Sequence, residues 1–238
     1  MLCRLGRADA VVGITVYCRE PAGLLAGKTR IGGEKDPDLG RILALAPELV
    51  VANVEENQAG HIAALRAAGI PVWVSFPRTV DESVALIRDA GTLTGAEPAA
   101  AAMIAEIDAL RSEVRASLAS RAPVRVFYPI WREPWMTIGR DTYIHDVLAT
   151  CGGANVYADA ERYPTVTLDA VAARRPDVIV LPDEPFRFRR AHLADFTPFA
   201  DVPAVAHRRI HLVDGKPFSW HGPRLADALR VIPPLLHR

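Results

Sequence analysis

Leu39-Gly40-Arg41-Ile42-Leu43-Ala44-Leu45-Ala46-Pro47-Glu48-Leu49-Val50-Val51 decides the fold, because its pattern returns 129 positions later, from 39 to 168, as Leu168-Asp169-Ala170-Val171-Ala172-Ala173-Arg174-Arg175-Pro176-Asp177-Val178-Ile179-Val180. Leu39, Ile42 and Ala44 fall on Leu168, Val171 and Ala173, and Pro47, Glu48, Leu49 and Val50 fall on Pro176, Asp177, Val178 and Ile179. Each copy reads as a short helix, a proline that stops it, an acidic residue and an apolar strand. Glu55 falls on Glu184, just past the carboxyl end of each strand. Helices alternating with short apolar strands indicate a parallel sheet with helices on its faces, and the recurrence predicts two such halves.

Working outward, strands are expected at Val11–Thr15, Leu49–Asn53 and Val72–Ser75, with helices at Leu39–Leu45, Gln58–Ala68 and Asp81–Leu93. The second half repeats the alternation, with strands at Val124–Tyr128, Val178–Leu181 and Ile210–Val213 and helices at Ile144–Cys151, Leu168–Arg174 and Pro223–Leu236. Between them the longest helical signal runs from Glu97 to Ser120, its Met103, Ile104, Ile107, Leu110, Val114 and Leu118 spaced three or four apart. Pro98 suits its first turn, and Ala122-Pro123 ends it. The organisation expected is a lobe over residues 1–94, a connecting helix over 95–122 and a second lobe over 123–238.

The chain has 238 residues, half of them hydrophobic, enough for a substantial core. Lys plus Arg and Asp plus Glu are 28 each, so no overall field favours nucleic acid. No apolar run reaches the roughly 20 residues of a membrane helix, and Met1–Arg7 lacks the apolar stretch of a secretory signal. On those grounds the chain reads as neither membrane-spanning nor exported. Cys3, Cys18 and Cys151 form no CxxC and are read as buried thiols. Motifs of serine hydrolases, zinc proteases and dinucleotide binders are absent, so no catalytic residue and no metal ligand is assigned.

Ligands of parallel α/β sheets bind outside the carboxyl ends of the strands, which makes a cleft between the halves the expected site. Glu55 and Asn57 in Asn53-Val54-Glu55-Glu56-Asn57 stand at such a strand end, either as ligand contacts or as a helix cap with Asn57 at its head. Trp131, Arg132, Trp135 and Arg140 follow another strand in a proline-braced loop, where indole rings stack on a flat conjugated ligand and guanidinium groups pair with its acids. One of the two rings plugging the core is the alternative. Glu184 follows a third strand, and Trp220 and His221 form an aromatic turn before the last helix, which reads equally as that helix's cap.

Val11-Val12-Gly13-Ile14-Thr15 before Tyr17-Cys18-Arg19-Glu20-Pro21, Ile31-Gly32-Gly33 before Pro37-Asp38-Leu39, and Ile42 to Val50 resemble the helical-backbone metal receptor superfamily. Cys151-Gly152-Gly153-Ala154-Asn155-Val156 resembles the second lobe of its vitamin B12-binding subgroup. The resemblance implies an α/β fold of class III periplasmic-binding-protein architecture, with two Rossmann-like lobes and parallel sheets joined by one long rigid helix, here without the family's N-terminal strand. It implies a non-enzymatic solute-binding protein that captures a metal chelate, a cobalamin or corrinoid, a ferric siderophore or haem, and delivers it to the permease and ATPase of an ABC importer. Tyr17 matches a family position that lines the cleft, whereas Asn53 stands where the B12 binder has a stacking tryptophan. The ligand set so implied is Tyr17, Glu55, Asn57, Trp131, Arg132, Trp135, Arg140, Glu184, Trp220 and His221, in a monomer with no catalytic cofactor. The family setting is periplasmic or otherwise extracytoplasmic, and the lack of a signal peptide makes cytoplasmic the alternative. An intracellular tetrapyrrole- or metal-handling enzyme or chaperone is the rival function on the same fold.

Overall fold

The two copies of the opening phrase fold alike down to their backbone bonds. In the computed structural model, which describes residues 1–237, the order begins β1 (Gly13–Ile14), α1 (Ala22–Leu25), β2 (Thr29–Arg30), α2 (Leu39–Ala44), β3 (Val50–Asn53), α3 (Ala59–Ala67) and β4 (Val72–Ser75). It continues through α4 (Val80–Thr94) and α5 (Glu97–Leu118) to β5 (Val124–Phe127), β6 (Pro129–Trp131), β7 (Met136–Thr137), α6 (Tyr143–Thr150), β8 (Gly153–Asn155) and α7 (Leu168–Ala173). β9 (Val178–Pro182), a 3-10 helix (Arg190–Phe199), α8 (Pro203–Ala206), β10 (Ile210–Val213), α9 (Lys216–Ser219) and α10 (Arg224–Leu236) complete it. After α2 and α7 the residue before the proline turns left-handed, Ala46 at φ 43° and Arg175 at φ 44°. Their N–H groups close on Leu43 and Ala172 carbonyls at 3.0 and 2.9 Å. Pro47 and Pro176 then prevent further helix. β3 pairs with β4 in the register Val50 to Val72, and β9 pairs with β10 in the corresponding register Ile179 to Ile210.

The chain forms two compact units, Met1–Pro77 with Leu86–Ala102, and Arg78–Ala85 with Met103–Arg238. In the first, β1 pairs with β2 and β3 with β4, all parallel. Ile42, Leu65 and Ile70 form its buried cluster, against which Ile31, Leu39, Val50 and Val72 pack. In the second, a four-stranded sheet among the described residues has the order β10-β9-β5-β8, every pairing parallel. All five residues of β9 are buried, as a strand covered on both faces requires. Phe127, Ile179, Leu181, Val171, Phe188 and Phe196 fill one side of that sheet. Val147, Leu148, Cys151, Ala228, Leu229 and Ile232 are buried elsewhere in the same unit, where the Cys151 thiol lies 3.9 Å from the Ala228 carbonyl.

Packing divides the chain differently from the sequence bounds at residues 94 and 122. Arg78–Ala85 belongs to the second unit. Val80 N–H donates to Asp146 Oδ2 at 2.6 Å, Asp81 pairs with Arg111 at 2.7 Å, and Gly222 N–H donates to Ser83 Oγ at 2.7 Å. α5, with Ala100, Met103, Ile107 and Val114 buried along one face, contributes residues to both units. The thiols also depart from expectation: Cys151 is buried, but Cys3 is half-buried and Cys18 is exposed in the turn after β1. No helix among the described residues is long and apolar enough to cross a membrane.

Candidate functional site

The strand order of the second unit places a switch point between β5 and β9: from β5 the chain goes outward to β8 on one side, then returns to β9 on the other. Loops leaving the carboxyl ends of neighbouring strands diverge there, which opens a crevice. β5 runs into β6, a short hairpin strand ending at Trp131, and β9 runs into Asp183, Glu184 and Phe186. The segment expected to be a loop is therefore an antiparallel β6–β7 hairpin, with a bulge between Pro129 and Trp131. Trp131 is 43% exposed and its ring meets that of Phe186 edge-on at 5.6 Å.

Trp220 ends α9 with 44% of its surface exposed, and its indole N–H donates to Glu184 Oε1. That bond fixes the indole by its edge and leaves the face for stacking. Partial burial raises the Glu184 carboxyl above the usual glutamate range, against the lowering effect of the Trp220 bond and of Lys216. Gly215 lets the β10–α9 turn press onto this strand end, since a Cβ there would lie 2.8 Å from Glu184 Cγ and 3.1 Å from its carbonyl. His221 packs edge-on against Tyr143 at 5.8 Å, in the same turn.

Three further expected ligand residues have structural duties in this unit. Arg132 is bidentate to Asp195, with Nε at 2.8 Å and a terminal nitrogen at 3.3 Å, and so ties the hairpin to the 3-10 helix. Arg140 bonds Glu161 and the Asp159 carbonyl. Trp135 is half-buried, stacks on Phe188 at 5.6 Å and meets Phe196 edge-on at 5.6 Å, packed against the core cluster.

In the first unit, Tyr17 follows β1 and is 65% exposed. Asn57 does not head the following helix, which begins after Gln58. Its side chain accepts from Asn53 N–H at 2.7 Å and donates to the Glu34 carbonyl at 3.1 Å, which clamps the strand-end turn. Asn53 Oδ1 accepts from Glu55 N–H at 2.8 Å, and Lys35 Nζ donates to the Glu55 carbonyl. This rim therefore presents one ring and a braced acidic turn.

A groove of about 660 Å³ adjoins the second unit's rim, lined by residues that include Asp183, Arg187, Phe188, Arg189 and Asp214. The two arginines were not singled out from sequence, although Phe186-Arg187-Phe188-Arg189 alternates rings with guanidinium groups. Among the described residues no group of three or more His, Cys, Asp or Glu converges as a metal site.

A family model described as periplasmic binding protein matches residues 1–217. The vitamin B12-binding protein of Vibrio cholerae is 30% identical over 176 residues, which cover 73% of this chain and 63% of that protein. The vitamin B12-binding protein of Salmonella choleraesuis is 35% identical over 149 residues, 60% of this chain and 54% of that one. The chain thus spans less than two thirds of the length of these relatives. Among solved structures, the periplasmic heme-binding protein RhuT of Roseiflexus sp. RS-1 superposes with a TM-score of 0.86 at 24% identity, covering 99% of this chain and 93% of that one. The periplasmic vitamin B12-binding protein BtuF of Vibrio cholerae gives 0.84 at 24% identity, covering 99% and 91%. Both likenesses are likenesses of fold.

Proposed function

This chain belongs to the periplasmic binding protein family, and from that premise we propose that it captures a flat metal chelate, a corrinoid, haem or ferric siderophore, and hands it to an ABC importer. The observation that carries the reading is the pair of exposed indoles, Trp131 and Trp220, at the carboxyl ends of the β5–β9 switch point, with Glu184 holding Trp220 by its edge. Stacking surface with polar anchoring at its rim suits a planar guest. Tyr17 and Glu55 are the ligand contacts that the reading assigns to the first unit. His221 is a second contact beside Trp220. The relatives are named for what they bind, and the reading assigns this chain binding without turnover, in an extracytoplasmic setting.

The test is to mix the purified protein with cyanocobalamin, haemin and a ferric siderophore and to record the absorbance spectrum and thermal stability with each. A ligand at 100 times its Kd adds about 2.7 kcal/mol of stability. One of the three is expected to raise the Tm, and Trp131→Ala with Trp220→Ala to abolish the shift. No response to any of them overturns the reading.

A further inference from the structure

Resting on the reading above, we infer that the groove beside the Trp131–Phe186 rim receives carboxylate substituents of the captured guest, so that its cargo is an acid-bearing planar chelate and not one fringed with neutral amides. Phe188 is 4% exposed and faces the core, while Arg189 on its carboxyl side is extended, at φ −138° and ψ 164°. Arg187 and Arg189 line the groove together with Phe188, whose ring is otherwise held in the core cluster between them. The rings continue from there to the rim, Phe188 to Phe186 at 4.8 Å and Phe186 to Trp131 at 5.6 Å. A guest stacked on Trp131 therefore carries its edge towards guanidinium groups.

The acids of the same groove are already engaged. Asp183 Oδ1 accepts from Gly215 N–H at 2.9 Å, and Asp214 Oδ1 accepts from Lys216 N–H at 3.0 Å with Lys216 Nζ at 3.8 Å. Arg187 and Arg189 pair with no carboxylate among the described residues. Elsewhere in this unit Arg132 pairs with Asp195 and Arg174 with Asp159. Two guanidinium forks left without an acid, in a groove whose Phe188 is joined through Phe186 to the Trp131 ring, match a ligand that brings its own carboxylates.

The probe for the groove alone is mellitate, a flat aromatic polycarboxylate with no metal, titrated calorimetrically in low salt. It is expected to bind the wild-type protein and to bind Arg187→Gln/Arg189→Gln at least tenfold more weakly, with the difference shrinking in 0.5 M salt because the groove is open to solvent. Haemin, with two propionates, is expected to lose at least tenfold in the same variant, and cyanocobalamin to bind the wild type at least tenfold more weakly than haemin; cyanocobalamin bound as tightly as haemin overturns the assignment of an acid-bearing cargo. Both arginines are exposed, so folding of the variant is secure, and circular dichroism confirms it. Equal mellitate affinity in the two proteins, or none in the wild type, overturns the inference. Mellitate binding that depends on the arginines, with no chelate bound by the wild type, upholds the groove and overturns the chelate reading instead.

Discussion

At the residue scale, two positions around the rim answer to single substitutions. Gly139 N–H donates to the Arg162 carbonyl at 2.6 Å, in an extended pairing of residues 137–140 with 160–164. A Cβ on Gly139 would lie 2.6 Å from the Ala160 carbonyl oxygen and 2.6 Å from the Glu161 carbonyl carbon. Backbone atoms cannot swing aside as a side chain can, so Gly139→Ala is expected to cost about 2 kcal/mol, a fall of roughly 4–8 °C in Tm for a chain of this size. Glu184 behaves differently because its carboxyl is raised in the folded protein. A carboxyl raised on folding leaves stability untouched while protonated in both states, and lowers it as pH rises through the unfolded and then the folded value. Glu184→Gln keeps an acceptor for the Trp220 indole and removes that cost. Its Tm should match the wild type near pH 3 and exceed it at pH 7, and a Tm below the wild type at pH 7 would contradict the assignment.

At the element scale, α4 starts with a device that the sequence reading passed over. Thr79 Oγ1 accepts from Glu82 N–H at 3.1 Å while Glu82 Oε2 accepts from Thr79 N–H at 3.1 Å, a reciprocal cap spelled Thr79-Val80-Asp81-Glu82. Thr79→Ala should cost about 1 kcal/mol in urea melts, and Asp146→Ala a similar amount by leaving Val80 N–H without its partner. What was legible followed from period and punctuation. β4 and β10 run over Val72–Ser75 and Ile210–Val213 as read, because β-branched residues end at polar turns. β8 was illegible because Gly153-Ala154-Asn155 has little strand propensity, and only its place beside β5 makes it a strand. Trp131, Glu184 and Trp220 were legible as candidates because each stands in an aromatic or acidic segment a few residues beyond an apolar strand, β5, β9 or β10. That Arg132 serves Asp195, 63 residues away, was not, because no local pattern encodes a contact at that separation.

At the scale of the whole molecule, the repeated phrase sits in two unequal settings. β9 lies inside a four-stranded sheet, with Val178, Ile179, Val180 and Leu181 all at 1% exposure or less. β3 pairs only with β4 among the described residues, and Val51 is 45% exposed where its counterpart Val180 is 0% exposed. Val12, Val16, Leu24, Leu43 and Val54 are likewise exposed in the first unit. Burial of apolar surface sets how much free energy opposes local opening, and each 1.4 kcal/mol of it slows exchange tenfold. Native-state hydrogen exchange should therefore find β9 and β5 amides slowest and β1–β4 amides faster by at least tenfold, although β3 and β9 share one register to the strand that follows each. Limited proteolysis should begin in the exposed turns between Tyr17 and Lys28. Equal protection of the Val50–Asn53 and Val178–Leu181 amides would mean that both units open in one cooperative step. A chelate that contacts Tyr17 and Glu55 should slow the β1 and β3 amides, because a unit that opens readily has the most protection to gain from a guest that binds it only when folded.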